Sequence, residues 1–139
     1  SLGLFEGTKT SVGRGTKFPF QVIGITKFIA NTYTFIPQAN DITNNPKYNN
    51  SVCYGFNLSD DVYLKNHPKT IELNWLIQMA KFNNSKDFFD KNFNYHSGND
   101  TLQKQINSNQ SEKKIRKSWD KDLINYKKIR VNYLLYPDF

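Results

Sequence analysis

The residue types best suited to chemistry are gathered in the first sixteen positions. Glu6 stands where an apolar run, Ser1-Leu2-Gly3-Leu4-Phe5, gives way to the stretch from Gly7 to Thr16. Catalytic side chains are commonly carried on such loops, held by a rigid scaffold. A carboxyl shielded by apolar neighbours would keep its proton to higher pH, as a general acid requires. The other reading of Glu6 is a loop carboxylate satisfied by nearby amides. Gly13-Arg14-Gly15 can offer backbone amides and a guanidinium, both suited to a carboxylate or phosphate. It lacks the third glycine and the strand-to-helix setting of a Rossmann or Walker loop, and a tight turn with a solvated arginine is the alternative. Thr8, Ser11 and Thr16 add hydroxyls that can either meet a ligand or buttress the loop.

Elsewhere the chemical signals are weaker. His67 and His96 are far apart and neither has metal-ligand spacing, so both read as loop residues. Cys53 sits among aromatic residues as a small buried hydrophobe. As the one cysteine, it excludes an internal disulfide and a multi-cysteine zinc site. No metal or cofactor is expected. Trp75 and Trp119 read as core rather than as ligand platforms. The chain carries 19 Lys and Arg against 12 Asp and Glu, a net charge of +7. Such a field favours nucleic acid, anionic lipid or acidic glycan without choosing among them. The basic residues Lys113, Lys114, Arg116, Lys117, Lys121, Lys127, Lys128 and Arg130 read as the solvated face of a last helix. Without an aromatic platform or a known reading module beside them, nucleic acid is not expected as a partner. No apolar run approaches the roughly 20 residues of a membrane span.

These residues must be positioned by one domain's worth of chain, 139 residues, of which 15% are aromatic. The opening run reads as a strand apolar on both faces, which belongs inside a sheet. Few partners for it are in view, so the chain reads as the C-terminal piece of a longer polypeptide; a self-contained trimmed domain is the alternative. Pro19 predicts an extended entry to the apolar stretch 20–24. Alternation over Thr32-Tyr33-Thr34-Phe35-Ile36 predicts a strand that stops at Pro37. Residues 38–51 form a polar loop. Val52 to Leu58 predicts another strand, with Gly55 at a bulge or close approach. From residue 70 the periodicity changes. Thr70 can cap a helix carrying Ile71, Trp75, Met79 and Phe82. A short helix or turn is expected from Asp87 to Phe93, a break at His96-Ser97-Gly98-Asn99, and a helix over 101–107. Asn109 and Glu112 resemble a capping box ahead of a long stripe of Ile115, Trp119, Leu123, Tyr126, Ile129 and Tyr133. The expected fold is α+β: a small mixed sheet from the first half packed against helices from the second.

Several stretches together resemble one family: Ser1 to Thr8, Ser11-Val12-Gly13-Arg14-Gly15-Thr16, Pro19 to Gly24, Val52-Cys53-Tyr54-Gly55, Ser118-Trp119, and the ending from Ile129 to Phe139. The joined pattern is similar to the C-terminal part of the exo-β-N-acetylmuramidases of peptidoglycan turnover (the NamZ type), long catalogued as a family of unknown function. Gly3 departs from the pattern, where a bulkier or sulfur-bearing residue is expected.

The resemblance implies that residues 1–139 are the C-terminal domain of a two-domain protein. Residues 1–24 would lie at the junction with an N-terminal Rossmann-like domain, and the active site in the cleft between the domains. The implied activity is hydrolysis of the β-1,4 bond that releases terminal N-acetylmuramic acid from the non-reducing end of peptidoglycan fragments. The implied setting is extracytoplasmic, secreted or periplasmic, in a bacterium. Glycoside hydrolysis needs two carboxyl groups, or one with help from the substrate's acetamido group. Glu6 is the one well-placed candidate, Glu72 and Glu112 reading as helix-surface and capping residues. The main catalytic acid is therefore expected upstream, and the chain alone is expected to be inactive. On this resemblance Glu6 would be a cleft residue with a catalytic role, Arg14 would bind the lactyl carboxylate of muramic acid, and Thr8, Ser11 and Thr16 would bind sugar hydroxyls or brace the loop. A non-catalytic cell-wall glycan-binding or scaffold domain is the alternative.

Overall fold

A computed structural model describes residues 2–27, 33–59, 71–85 and 87–137. Ser1, Thr32, His67, Thr70, Asp138 and Phe139, all within the residues and stretches named above, lie outside the described residues. Among the described residues three strands, β1 (Val22–Ile25), β2 (Tyr33–Phe35) and β3 (Cys53–Asn57), precede four α-helices, α1 (Asn74–Asn83), α2 (Phe93–Ser97), α3 (Thr101–Asn107) and α4 (Glu112–Arg130). The class is α+β, as expected. The sheet is not mixed, however: its order is β1-β3-β2 and both pairings are antiparallel. β3 lies between β1 and β2 and runs opposite to both, so the two outer strands point the same way without pairing to each other. Gly55 pairs with Gly24 of β1 and Tyr33 of β2. A Cβ there would fall 1.8 Å from the Ile23 carbonyl oxygen, so the close approach predicted at this position is real.

The opening run is a 3₁₀ helix, Leu2–Gly7, rather than a strand. Three residues per turn place Leu2 over Phe5 and Gly3 over Glu6. Leu2 and Phe5 turn toward the core while Gly3 and Glu6 are exposed. The continuous apolar run thus serves a tight helix, from which Leu4 also packs on the core. Gly3 has open space around its missing side chain, which accounts for the tolerance of a glycine there.

Phe5 is 1% exposed in a core shared by Ile23 and Ile25 of β1, Leu76 and Met79 of α1, and Phe88. Phe89 meets Phe88 edge-on and Phe93 at a tilt, at centroid distances of 4.8 and 4.3 Å. Burying a side chain of this size contributes roughly 1.5–3 kcal/mol. A second small cluster, Val22, Phe35 and Cys53, lies elsewhere on the sheet.

Helix α1 buries Trp75, Leu76, Ile77 and Met79, but Ile71 precedes the helix and is exposed. The Glu72 carboxylate accepts from the Asn74 N–H at 2.8 Å. His96 and Ser97 finish α2 instead of breaking it; Gly98, at φ 79°, ends the helix. The cap of α4 is Ser111, whose hydroxyl accepts from the Lys114 N–H at 3.3 Å, and not Asn109, which turns the preceding loop at φ 55°. Arg116 departs from the solvated face expected for it: it pairs with Glu112 and donates to the Ile71 carbonyl, tying α4 to the entry of α1. The stripe on α4 is covered only at its start. Ile115 is buried and Trp119 packs on the core, whereas Leu123, Tyr126, Ile129 and Tyr133 are exposed. A 19-residue helix runs about 28 Å, beyond the reach of so small a core.

Candidate functional site

The segment that follows the 3₁₀ helix is held on both sides. Lys9 N–H donates to the Phe88 carbonyl at 2.8 Å, and the Asp90 N–H donates to the Gly7 carbonyl at 3.0 Å. Ser11 exchanges backbone hydrogen bonds with Gly24 of β1, at 2.8 and 3.0 Å. The segment is thereby laced between the sheet and the Phe88–Phe93 stretch, with Glu6, just before it, and Arg14, on it, both exposed.

Those two side chains meet. An Arg14 Nη donates to Glu6 Oε1 at 3.0 Å, with side-chain exposures of 50% and 40%. The turn between Gly13 and Gly15 makes this possible: both take the left-handed conformation, at φ 78° and 79°. The Arg14 guanidinium also lies 4.9 Å over the Phe20 ring. Phe20 is itself left-handed, at φ 62°, and is fixed by its N–H to the Val12 carbonyl at 2.8 Å. An exposed pair contributes only about 0.2–1 kcal/mol, so its consequence is orientation rather than stability. Glu6 is accordingly the partner of a guanidinium, not a carboxyl enclosed by apolar neighbours.

The three hydroxyl residues are engaged by the backbone. Thr8 Oγ1 donates to the Phe5 carbonyl at 2.9 Å and accepts from the Thr10 N–H at 3.1 Å. Ser11 Oγ accepts from the Gly13 N–H at 3.3 Å. Thr16 Oγ1 donates to the Gly13 carbonyl at 2.7 Å and accepts from the Phe18 N–H at 2.9 Å. Thr8 and Ser11 are each 2% exposed. All three brace the loop that sets Glu6 and Arg14.

Sequence reasoning missed three participants. Lys47 Nζ donates to the carbonyls of Thr8 and Thr10, the latter at 3.3 Å, from a loop 37 positions away. Burial lowers its pKa from the ordinary lysine value, while Asp90 and Glu6 act in the opposite sense. Tyr48, left-handed at φ 63°, donates its hydroxyl to the Lys9 carbonyl. Thr10 is 1% exposed, and its hydroxyl has no hydrogen-bond partner among the described residues. The alternation of Thr8 and Thr10 was a signal for Thr10. Nothing local marked Lys47, whose partners are distant in sequence.

Glu6, Thr10, Ser11, Arg14 and Lys47 line a notch of about 50 Å³. That is room for a water or a single ligand group, against roughly 300–1,000 Å³ for a small-molecule pocket. A larger depression of about 610 Å³ lies between α1 and α3, but no carboxylate or imidazole lines it among the described residues. His96 is exposed, in a depression with Trp119 and Tyr126. Cys53 is fully buried, and burial pushes its thiol up to about 12, which makes it inert as a nucleophile. No grouping of three or more His, Cys, Asp or Glu able to hold a metal occurs among the described residues. No helix among them is long and apolar enough to cross a membrane.

An acid at the end of the 3₁₀ helix and a guanidinium on a braced glycine turn thus meet at the edge of a small notch, and comparison supplies the family. The chain belongs to the family described as Exo-beta-N-acetylmuramidase NamZ, C-terminal, whose model matches residues 1–136. It is thus a domain of a peptidoglycan hydrolase family of the glycosidase class. A crystal structure of a DUF1343 family protein from Bacteroides fragilis is similar over the whole chain, at 37% identity and a TM-score of 0.89. The chain spans 40% of that protein's length. No curated protein matches it.

Proposed function

We propose that this chain forms one wall of an interdomain cleft in an exo-β-N-acetylmuramidase that releases terminal N-acetylmuramic acid from the non-reducing end of peptidoglycan fragments. The observation that carries this reading is the Glu6–Arg14 pair, 3.0 Å apart at the mouth of a braced notch, in a chain of this family. In the hydrolysis, a water oxygen bonds to the anomeric carbon and gives up a proton, the bond to the leaving oxygen breaks, and that oxygen takes up a proton. Glu6 serves the proton transfer or holds the water; the principal acid comes from the other wall. Arg14 has nitrogens beyond the one given to Glu6 and turns them toward the lactyl carboxylate. Thr8, Ser11 and Thr16 keep the turn in register.

The small volume of the notch supports a wall rather than a complete site. The exposed apolar residues Leu123, Ile124, Tyr126 and Ile129 of α4 support packing against the domain that supplies the other wall. The reading carries an extracytoplasmic setting in a bacterium, secreted or periplasmic, as part of the proposal.

The test is turnover by the full polypeptide of paired chromogenic glycosides, one of N-acetylmuramic acid and one of N-acetylglucosamine. Cleavage confined to the muramic acid glycoside is expected. Equal cleavage of both, or binding to peptidoglycan without cleavage of either, overturns the reading.

A further inference from the structure

The least explained feature of the notch is a buried hydroxyl with nothing to bond. Thr10 Oγ1 lies on a residue 1% exposed, yet it lines the same space as Glu6, Arg14 and Lys47. Leaving such a group unpaired is costly, and native structures rarely retain one without a reason. Beside it stands an ammonium with three donors, two of them directed to the Thr8 and Thr10 carbonyls. Those carbonyls bring no charge to offset it. The charged groups around Lys47 are Asp90, Glu6 and Lys9. With Lys47 and Arg14 included, the cluster carries one positive charge in excess.

We propose that Lys47 and Thr10 form an oxyanion subsite that takes one carboxylate oxygen of the ligand, the Lys47 ammonium supplying charge and the Thr10 hydroxyl a hydrogen bond. The inference deepens the preceding reading and rests on it for the identity of the carboxylate, the lactyl group of a muramic acid residue. The notch is the right size for one such group and too small for a sugar ring. Arg14 then meets the second oxygen from the rim. Discrimination follows from chemistry: a sugar without the lactyl ether leaves the buried Thr10 hydroxyl unanswered and brings no charge to the Lys47 ammonium, which is the situation in which polar sites reject a near analogue.

The direct experiment titrates the full chain with N-acetylmuramic acid, N-acetylglucosamine and D-lactate, following backbone amides by NMR. Shifts at Thr10, Ser11 and Arg14 are expected with N-acetylmuramic acid, weaker shifts with D-lactate, and none with N-acetylglucosamine. Thr10→Val removes the hydroxyl at nearly constant volume. It is expected to weaken N-acetylmuramic acid binding by roughly 3–10-fold while leaving the melting temperature unchanged or raised, because no folded-state bond is lost. Lys47→Met is expected to abolish the response to D-lactate, and Lys47→Arg to restore part of it. Equal shifts with N-acetylglucosamine, no shift at Thr10 with any probe, or unchanged affinity in Thr10→Val overturns the subsite. Turnover separates the two readings. A chain that binds D-lactate here, in a polypeptide that cleaves neither glycoside, keeps the subsite and loses the muramidase assignment. Selective cleavage that Thr10→Val and Lys47→Met leave untouched does the reverse.

Discussion

At the scale of single residues, the site is an arrangement of charge on a braced turn. Arg14 is held by Glu6 and by the face of Phe20, so its guanidinium presents a fixed edge. Arg14→Lys keeps the charge but loses the planar fork. It is expected to raise KM for a muramic acid glycoside several-fold and to spare a glycoside without the lactyl group. Equal effects on both substrates would remove the carboxylate role. Cys53 allows a test on stability. An unfolded thiol titrates near 9, whereas burial holds the folded thiol to about 12. The folded state therefore keeps a proton that the unfolded state has lost, and stability falls as pH rises between those values. The full loss is of order 4 kcal/mol, at about 1.4 kcal/mol per unit. Cys53→Ala is expected to cost stability at neutral pH and to flatten the decline above pH 9, as read by denaturant unfolding across pH. The native thiol is expected to resist alkylation at pH 8 until the protein unfolds.

At the scale of elements, what the sequence showed depended on how local the cause was. Strands β2 and β3 and the 101–107 helix were legible because alternation and helical spacing act within a few residues. Gly55 was legible as a close approach because a glycine inside a strand pattern has few other reasons to be there. Gly55→Ala is expected to destabilise the domain by more than the roughly 1 kcal/mol of strand propensity alone, since its Cβ meets backbone on β1. A melting temperature near that of the parent would show that the sheet yields at that point. The opening run misled because a 3₁₀ helix and a two-sided strand share a continuous apolar pattern; only the period of three, Leu2 over Phe5, separates them. The cap at α4 was displaced by two residues because Asn109 and Ser111 both have cap chemistry, and the left-handed backbone at 109 decides for Ser111. Ser111→Ala is expected to cost about 1 kcal/mol in chemical denaturation, and Asn109→Ala less from capping.

At the scale of the whole molecule, the candidate site joins parts distant in the chain. Glu6, Arg14 and the three bracing hydroxyls were visible as a cluster because they lie within sixteen residues. Lys47 and Tyr48 were not, because their partners are carbonyls about 40 positions earlier, and a backbone carbonyl leaves no mark on residue type. The outer half of α4 shows the opposite limit. Its stripe is clear in the sequence, but its apolar residues stay uncovered, and covering them is the work proposed for a neighbouring domain. The account as a whole turns on whether the acid at the mouth of the notch takes part in breaking the glycosidic bond. Glu6→Gln preserves shape and removes the ionisable group, and kcat for a muramic acid glycoside in the full polypeptide measures the difference. A fall of at least ~100-fold with an unchanged melting temperature is expected; near-normal kcat in a folded variant would contradict the account.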